Sequence, residues 1–143
     1  MGAADDKDAI RELLAEYCFL LDSYQLKQLG QLFTETGLWT SRNGDATGPA
    51  GIEAFMRDLV PAPGPGTRRK HITANIVVRL GGDRAEVKSN FLVVRDSAAG
   101  PVIAVAGTYD DIVVRRGNRW LFDLRKLSHD IAGESGLKPL KSG

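Results

Sequence analysis

Between Lys70 and Ser128 the chain consists of four stretches rich in valine, isoleucine and aromatic residues: Lys70 to Leu80, Arg84 to Asp96, Val102 to Arg115 and Arg119 to Ser128. Short turn signals part them, at Gly81-Gly82-Asp83, Ser97 to Gly100 and Arg116-Gly117-Asn118. Long strands joined by short turns predict an antiparallel meander. The half before it has helical spacing instead. Ile10, Leu13, Leu14, Tyr17, Cys18 and Leu21 make one apolar face. Asp5, Asp6 and Asp8 crowd the first turn, where the helix dipole favours negative charge. Ser23 is placed to cap a second short helix, about Gln25 to Phe33, with Leu26, Leu29, Leu32 and Phe33 as its apolar side. Thr36-Gly37 would end that helix, and Leu38-Trp39-Thr40 reads as a short strand. Gly48-Pro49 opens a third helix, since proline suits a first turn, with Ile52, Phe55, Met56 and Leu59 along one side. Helices first and strands later predict an α+β domain in which a curved antiparallel sheet wraps over N-terminal helices.

In the run Pro61-Ala62-Pro63-Gly64-Pro65-Gly66 three prolines lack backbone donors and two glycines unpin the backbone, so it must be a loop, one that could close over something. The 143 residues fit one domain, 1–143, with an ordered core over about 6–130. The tail from 131 to 143 is small and polar and is expected to fray. The formal net charge is +1 and Arg68-Arg69-Lys70 is only a short basic run, so a nucleic-acid partner is not expected. One cysteine, Cys18, permits no internal disulfide. No apolar run reaches the roughly 18 residues of a membrane span. The N-terminus lacks a basic-then-apolar signal, so a cytoplasmic protein is expected.

Few residues can carry chemistry. Asp22 follows Cys18 by four, which sets a carboxylate along the apolar face of the first helix near its end. It either finds a partner there or ends the helix in water beside Ser23. His71 begins the first long strand directly after the Pro/Gly loop. An imidazole, ordinarily titrating near pH ~6.5, is the natural general base at neutral pH. On spacing alone His71 and His129 could equally be surface groups. Alternation leaves His71 off the apolar face formed by Ile72, Ala74, Ile76, Val78 and Leu80. Either that apolar face makes core or subunit contact while His71 faces a polar pocket, or a bulge changes the register. Arg125 poses the same problem: it falls on the side of Leu121, Asp123 and Leu127, where Asp123 is its simplest partner. No serine nucleophile elbow and no phosphate-binding glycine loop is present. Two histidines without matched carboxylates make poor metal ligands, and neither metal nor cofactor is expected.

The order of these pieces resembles the SnoaL-like branch of the nuclear transport factor 2-like superfamily. The matching segments are AIRELLAEYCFLLDSY, LGQLFTETGLW, GPAGIEAFM, KHITANIVV, AGTYDDIVVRRGNRW and LFDLRKLS, in family order over about residues 8 to 129. The resemblance implies a cone-shaped α+β barrel. It also implies a pocket like those of scytalone dehydratase, hexachlorocyclohexane dehydrochlorinase and bile acid 7α-dehydratase. In that frame Asp22 matches the aspartate of the first helix and His71 the catalytic histidine. Tyr17 stands where the bile acid enzyme has tyrosine, and Arg125 matches an arginine on the last strand. Asn75 falls where many members carry asparagine.

The resulting expectation is a cofactor-free lyase, dehydratase-like, or an isomerase acting on a small apolar substrate. His71 would be the base, Asp22 its orienting partner, and Tyr17 and Arg125 the donors to developing negative charge. Phe33, Trp39, Phe55, Met56 and Asn75 would contact the substrate. The alternative is a non-catalytic member that binds a ligand or a protein, such as a partner resembling the small subunit of ring-hydroxylating dioxygenases. A homodimer or higher homo-oligomer through the apolar outer sheet is expected in either case.

Overall fold

The structure, a computed structural model, describes residues 2–140. Helix α1 spans Ala3–Asp22 and buries Ile10, Leu13, Leu14, Tyr17, Cys18 and Leu21, the face that the spacing predicts. Asp6 does more than meet the helix dipole. It is buried, and it accepts hydrogen bonds from Arg115 Nη1 at 2.9 Å and Trp120 Nε1 at 3.3 Å, which fastens the start of α1 to the last hairpin.

The next segment departs from the sequence-based expectation. Ser23 caps no second helix; its Oγ donates back to the Phe19 carbonyl at 2.7 Å and closes α1. Helix α2 is one short turn, Leu26–Gly30. Phe33 already opens strand β1 (Phe33–Ser41), so Thr36-Gly37 lies inside a strand. The reason is the neighbour: β1 runs parallel to the last strand, and a Cβ on Gly37 would come within 2.7 Å of the Phe122 carbonyl oxygen. Strand β2 (Gly44–Thr47), not foreseen, folds back on β1 before helix α3 (Gly48–Leu59) begins with its proline in the first turn.

The meander follows as expected: β3 (Arg69–Gly81), β4 (Arg84–Arg95), β5 (Val102–Arg116) and β6 (Arg119–Ala132). The strand order is β2-β1-β6-β5-β4-β3, in which β1 runs parallel to its neighbour β6. The sheet curls over the helices without closing, giving a cone-shaped α+β fold whose core lies between α1, α3 and the inward sheet face.

Two bulges decide which residues face inward. In β3 the register slips between Ala74 and Val77, and Asn75 takes a left-handed backbone, φ 57°. His71 and Thr73 therefore point inward together with Ile76, Val78 and Leu80, while Ile72 and Ala74 turn out. Of the two readings left open for this strand, the bulge is the one that holds. In β6 the register slips around Asp123, so Trp120 and Phe122 face inward before it and Arg125, Leu127 and His129 after it.

Residues 133–140 carry no regular structure but lie against the sheet. Gly133 N–H bonds the Ala104 carbonyl at 2.9 Å and Lys138 N–H the Leu59 carbonyl at 3.0 Å. Arg95 and Arg69 donate to the carbonyls of Glu134 (2.7 Å) and Ser135 (2.8 Å). Among the described residues no helix is long and apolar enough to cross a membrane.

Candidate functional site

Asp22, the last residue of α1, reaches the first residues of β3. Its Oδ1 lies 2.7 Å from His71 Nδ1, and both carboxylate oxygens accept the His71 backbone N–H, at 3.2 and 3.0 Å. Both side chains are largely enclosed. A carboxylate on Nδ1 fixes the proton there and leaves Nε2 with its lone pair free. Among the described residues nothing hydrogen-bonds Nε2. This is an oriented imidazole of the kind that takes protons from carbon or oxygen.

The dyad stands beside a cavity of about 60 Å³ and not in its lining. Three of its immediate neighbours do line it: Leu21, which precedes Asp22; Arg69, two residues before His71 on the same strand face; and Val93, the cross-strand partner of His71. Tyr17 lines the same cavity and accepts the Trp39 indole N–H at 3.0 Å. Burial pushes the Tyr17 phenol up to about 12, with Arg125 only partly offsetting it. The hydroxyl therefore stays protonated and keeps its own hydrogen to donate.

Of the residues expected to touch substrate, Trp39 and Met56 line the cavity. Phe33 does not; it is packed in the core with Phe122, ring centroids 5.0 Å apart. Phe55 stands behind Trp39 at 5.3 Å. Asn75 is exposed, and its side-chain oxygen accepts from Asn90 at 3.1 Å. Its part is the left-handed turn of the bulge, a conformation that asparagine tolerates better than most residues.

Arg125 needs the largest correction. It is fully buried and pairs with Asp111, Nε to Oδ1 at 3.0 Å and Nη2 to Oδ2 at 3.3 Å. Its guanidinium carbon lies 3.5, 4.2 and 4.6 Å from the ring centroids of Tyr109, Tyr17 and Phe122. Rings and carboxylate enclose it, it does not line the cavity, and its Nη1 is left without a partner among the described residues. Asp123, the expected partner, takes the Thr34 hydroxyl at 2.9 Å instead. Burial pushes the Asp111 carboxyl up, against the pull of Arg125.

The model of the SnoaL-like domain matches residues 2–126. The chain belongs to the SnoaL-like family. No curated protein matches it in sequence. Among solved structures it is similar to a Novosphingobium aromaticivorans protein named provisionally as a scytalone dehydratase, with 22% identity over 92% of this chain and 88% of that one, TM-score 0.80. It is similar to an NTF2-like protein with a cystatin-like fold from Novosphingobium aromaticivorans, with 23% identity over 89% and 83% of the two chains, TM-score 0.77. It is also similar to Rv3472 of Mycobacterium tuberculosis, described as of unknown function, with 23% identity over 87% and 76%, TM-score 0.78. At such identities these likenesses establish the fold.

This SnoaL-like domain carries further polar groups in its cavity that spacing did not single out: Arg42, Asn43, Arg69 and His129. Burial lowers the pKa of His129, with Arg42 adding to the effect, so its ring is neutral at pH 7. The signal for it was available. Once Arg125 faces inward, alternation carries Leu127 and His129 inward too. Cys18 is a poor nucleophile, because burial pushes its thiol up and its Sγ sits 3.3 Å from the Thr73 hydroxyl. Among the described residues no group of three or more His, Cys, Asp or Glu could hold a metal ion.

Proposed function

We propose that this SnoaL-like domain is a lyase of the dehydratase kind, or an isomerase, that draws a proton from carbon in a small, largely apolar substrate. The observation that carries the reading is the 2.7 Å contact between Asp22 and His71 Nδ1, which leaves Nε2 as a free base. His71 Nε2 takes the proton, Asp22 holds the ring in one tautomer and stabilises its cation, and Tyr17 O–H donates to the oxygen on which charge develops. A donor so placed in a dry site contributes roughly 3 kcal/mol. Arg125 then acts through Tyr17, whose ring it faces at 4.2 Å, as a positioning residue.

The test uses a generic carbon acid. Deuterium uptake at the carbons next to the carbonyl of 3-methyl-2-butanone, a carbon acid small enough for the cavity, is followed by NMR, with and without the protein. The protein is expected to accelerate exchange, and His71→Ala to cut that acceleration by about 100-fold or more while circular dichroism stays unchanged. Equal exchange with wild type and His71→Ala would sink the base assignment. It would favour a binding module instead.

The outward sheet face supports self-association. It carries a groove of about 450 Å³ that includes Val77, Ile112 and Leu124. Ile72, Val77 and Ile103 are each about half exposed or more, at 49%, 52% and 59%. The charges around them alternate across strands, Arg79 opposite Glu86 and Lys88 opposite Asp110. A second copy of the chain, related by a two-fold axis, meets both the apolar and the charged pattern. The domain is accordingly proposed to work as a homodimer.

A further inference from the structure

We propose that the cavity under the C-terminal tail binds a small apolar carboxylate, its anionic end held by Arg69 and His129 and its apolar body against Trp39, Met56 and Leu127. The inference rests on reading this cavity as the substrate site, and it names the substrate's charge.

Three observations carry it. First, the lining includes Arg42, Arg69 and His129 and not a single carboxylate. Asp22, whose charge reaches Arg69, is already taken up by the ring and backbone of His71. Second, among the described residues the buried side-chain atoms without a hydrogen-bond partner are Arg69 Nε, Ser89 Oγ, Arg125 Nη1 and His129 Nδ1. Two of these four belong to cavity residues. An orphaned buried polar group is costly and calls for a partner. A carboxylate, with two oxygens and several lone pairs, accepts from both Arg69 Nε–H and a neutral His129 holding its proton on Nδ1. Third, the tail holds the guanidinium in place: Arg69 Nη1 donates to the Ser135 carbonyl at 2.8 Å, and Ser135 and Leu137 complete the cavity wall.

Size narrows the class further. A cavity of about 60 Å³, well short of the roughly 150 Å³ that takes up benzene, accepts a short branched chain. A ring would have to displace residues 135–137. Phe91, Val93, Ala104 and Val105 supply apolar wall without side-chain hydrogen-bonding groups, beside the polar side chains of Tyr17 and Asn43. A primary ammonium would meet two guanidiniums, those of Arg42 and Arg69, and no carboxylate in the lining among the described residues.

The experiment titrates the protein with isobutyrate, isobutyramide and isobutylamine, three probes of similar size, and follows the indole N–H resonance of Trp39 in a ¹H–¹⁵N spectrum. Isobutyrate is expected to shift it with a Kd at least ~10-fold tighter than that of isobutyramide, and isobutylamine to leave it unmoved. Arg69→Gln should bring isobutyrate down to the level of isobutyramide. If Arg69→Gln does not fold, Arg42→Gln, a change at an exposed position, should still narrow the gap severalfold. Isobutyrate binding no tighter than isobutyramide, or no shift at tens of millimolar isobutyrate, would overturn the inference. His71→Ala separates it from the proposed reaction. Isobutyrate bound equally by wild type and His71→Ala, with no carbon-acid exchange by either, keeps the anion site and removes the base.

Discussion

Arg125 shows what single residues reveal and what they hide. Its importance could be read from the resemblance, but its role could not, because the role is set by Asp111 on a neighbouring strand. The clue lay in β5, where Tyr109, Asp111 and Val113 alternate inward. A carboxylate on an apolar face demands a cation. Both side chains of the pair have no exposure at all. Replacing Arg125 with Met should therefore cost about 3–5 kcal/mol of unfolding free energy, since it strands a buried carboxylate. Adding Asp111→Leu to Arg125→Met should recover a large part of that loss, because the desolvated charge goes with it. Urea unfolding of the two variants checks both numbers. A single change costing no more than the double one would contradict the pairing. Asp22 and His71 were legible for the opposite reason. Each sits at the end of an element whose limits the sequence marks, one at a helix terminus and one after a proline-rich loop.

Elements were legible where periodicity was long and undisturbed. Helix α1, helix α3 and the four meander strands follow from their spacing. The region from Gln25 to Ser41 did not, because its leucines fit a helix locally while parallel pairing with β6 converts Phe33 onward into strand. Tertiary pairing there overrides a local preference. The bulge in β3 was legible only as one of two alternatives, and its position was not, yet it decides the site: without the slip at Asn75, alternation would turn His71 to the outer face. Asn75 has φ 57° and is exposed, so its replacement discriminates between two explanations. Valine favours an ordinary exposed strand position, yet Asn75→Val should destabilise the fold by about 1–2 kcal/mol, the cost of a left-handed backbone for an ordinary L-residue. Asn75→Gly should be tolerated far better. Thermal unfolding of the two variants reads the difference, and valine outperforming glycine would mean that the bulge is absent.

The fold and its curved sheet were legible at the scale of the whole molecule, since the order of helices and strands carries them. The cavity was not, because it is assembled from α1, β1, α3, four meander strands and the tail, and only packing brings these together. Light scattering at micromolar concentration is expected to give twice the chain mass, and Val77→Asp with Ile72→Asp to return it to one chain without loss of helix or strand signal. A wild-type monomer would remove the proposed interface. The account as a whole turns on Asp22 and His71 working as a unit, and a double-substitution cycle tests that most directly. Carbon-acid exchange and unfolding free energy are measured on His71→Ala, Asp22→Asn and the double variant. The expected result is a folded protein in every case, a large loss of exchange in each single variant, and a double variant little worse than His71→Ala alone. Losses of exchange that add, or that follow the loss of stability from variant to variant, would contradict it.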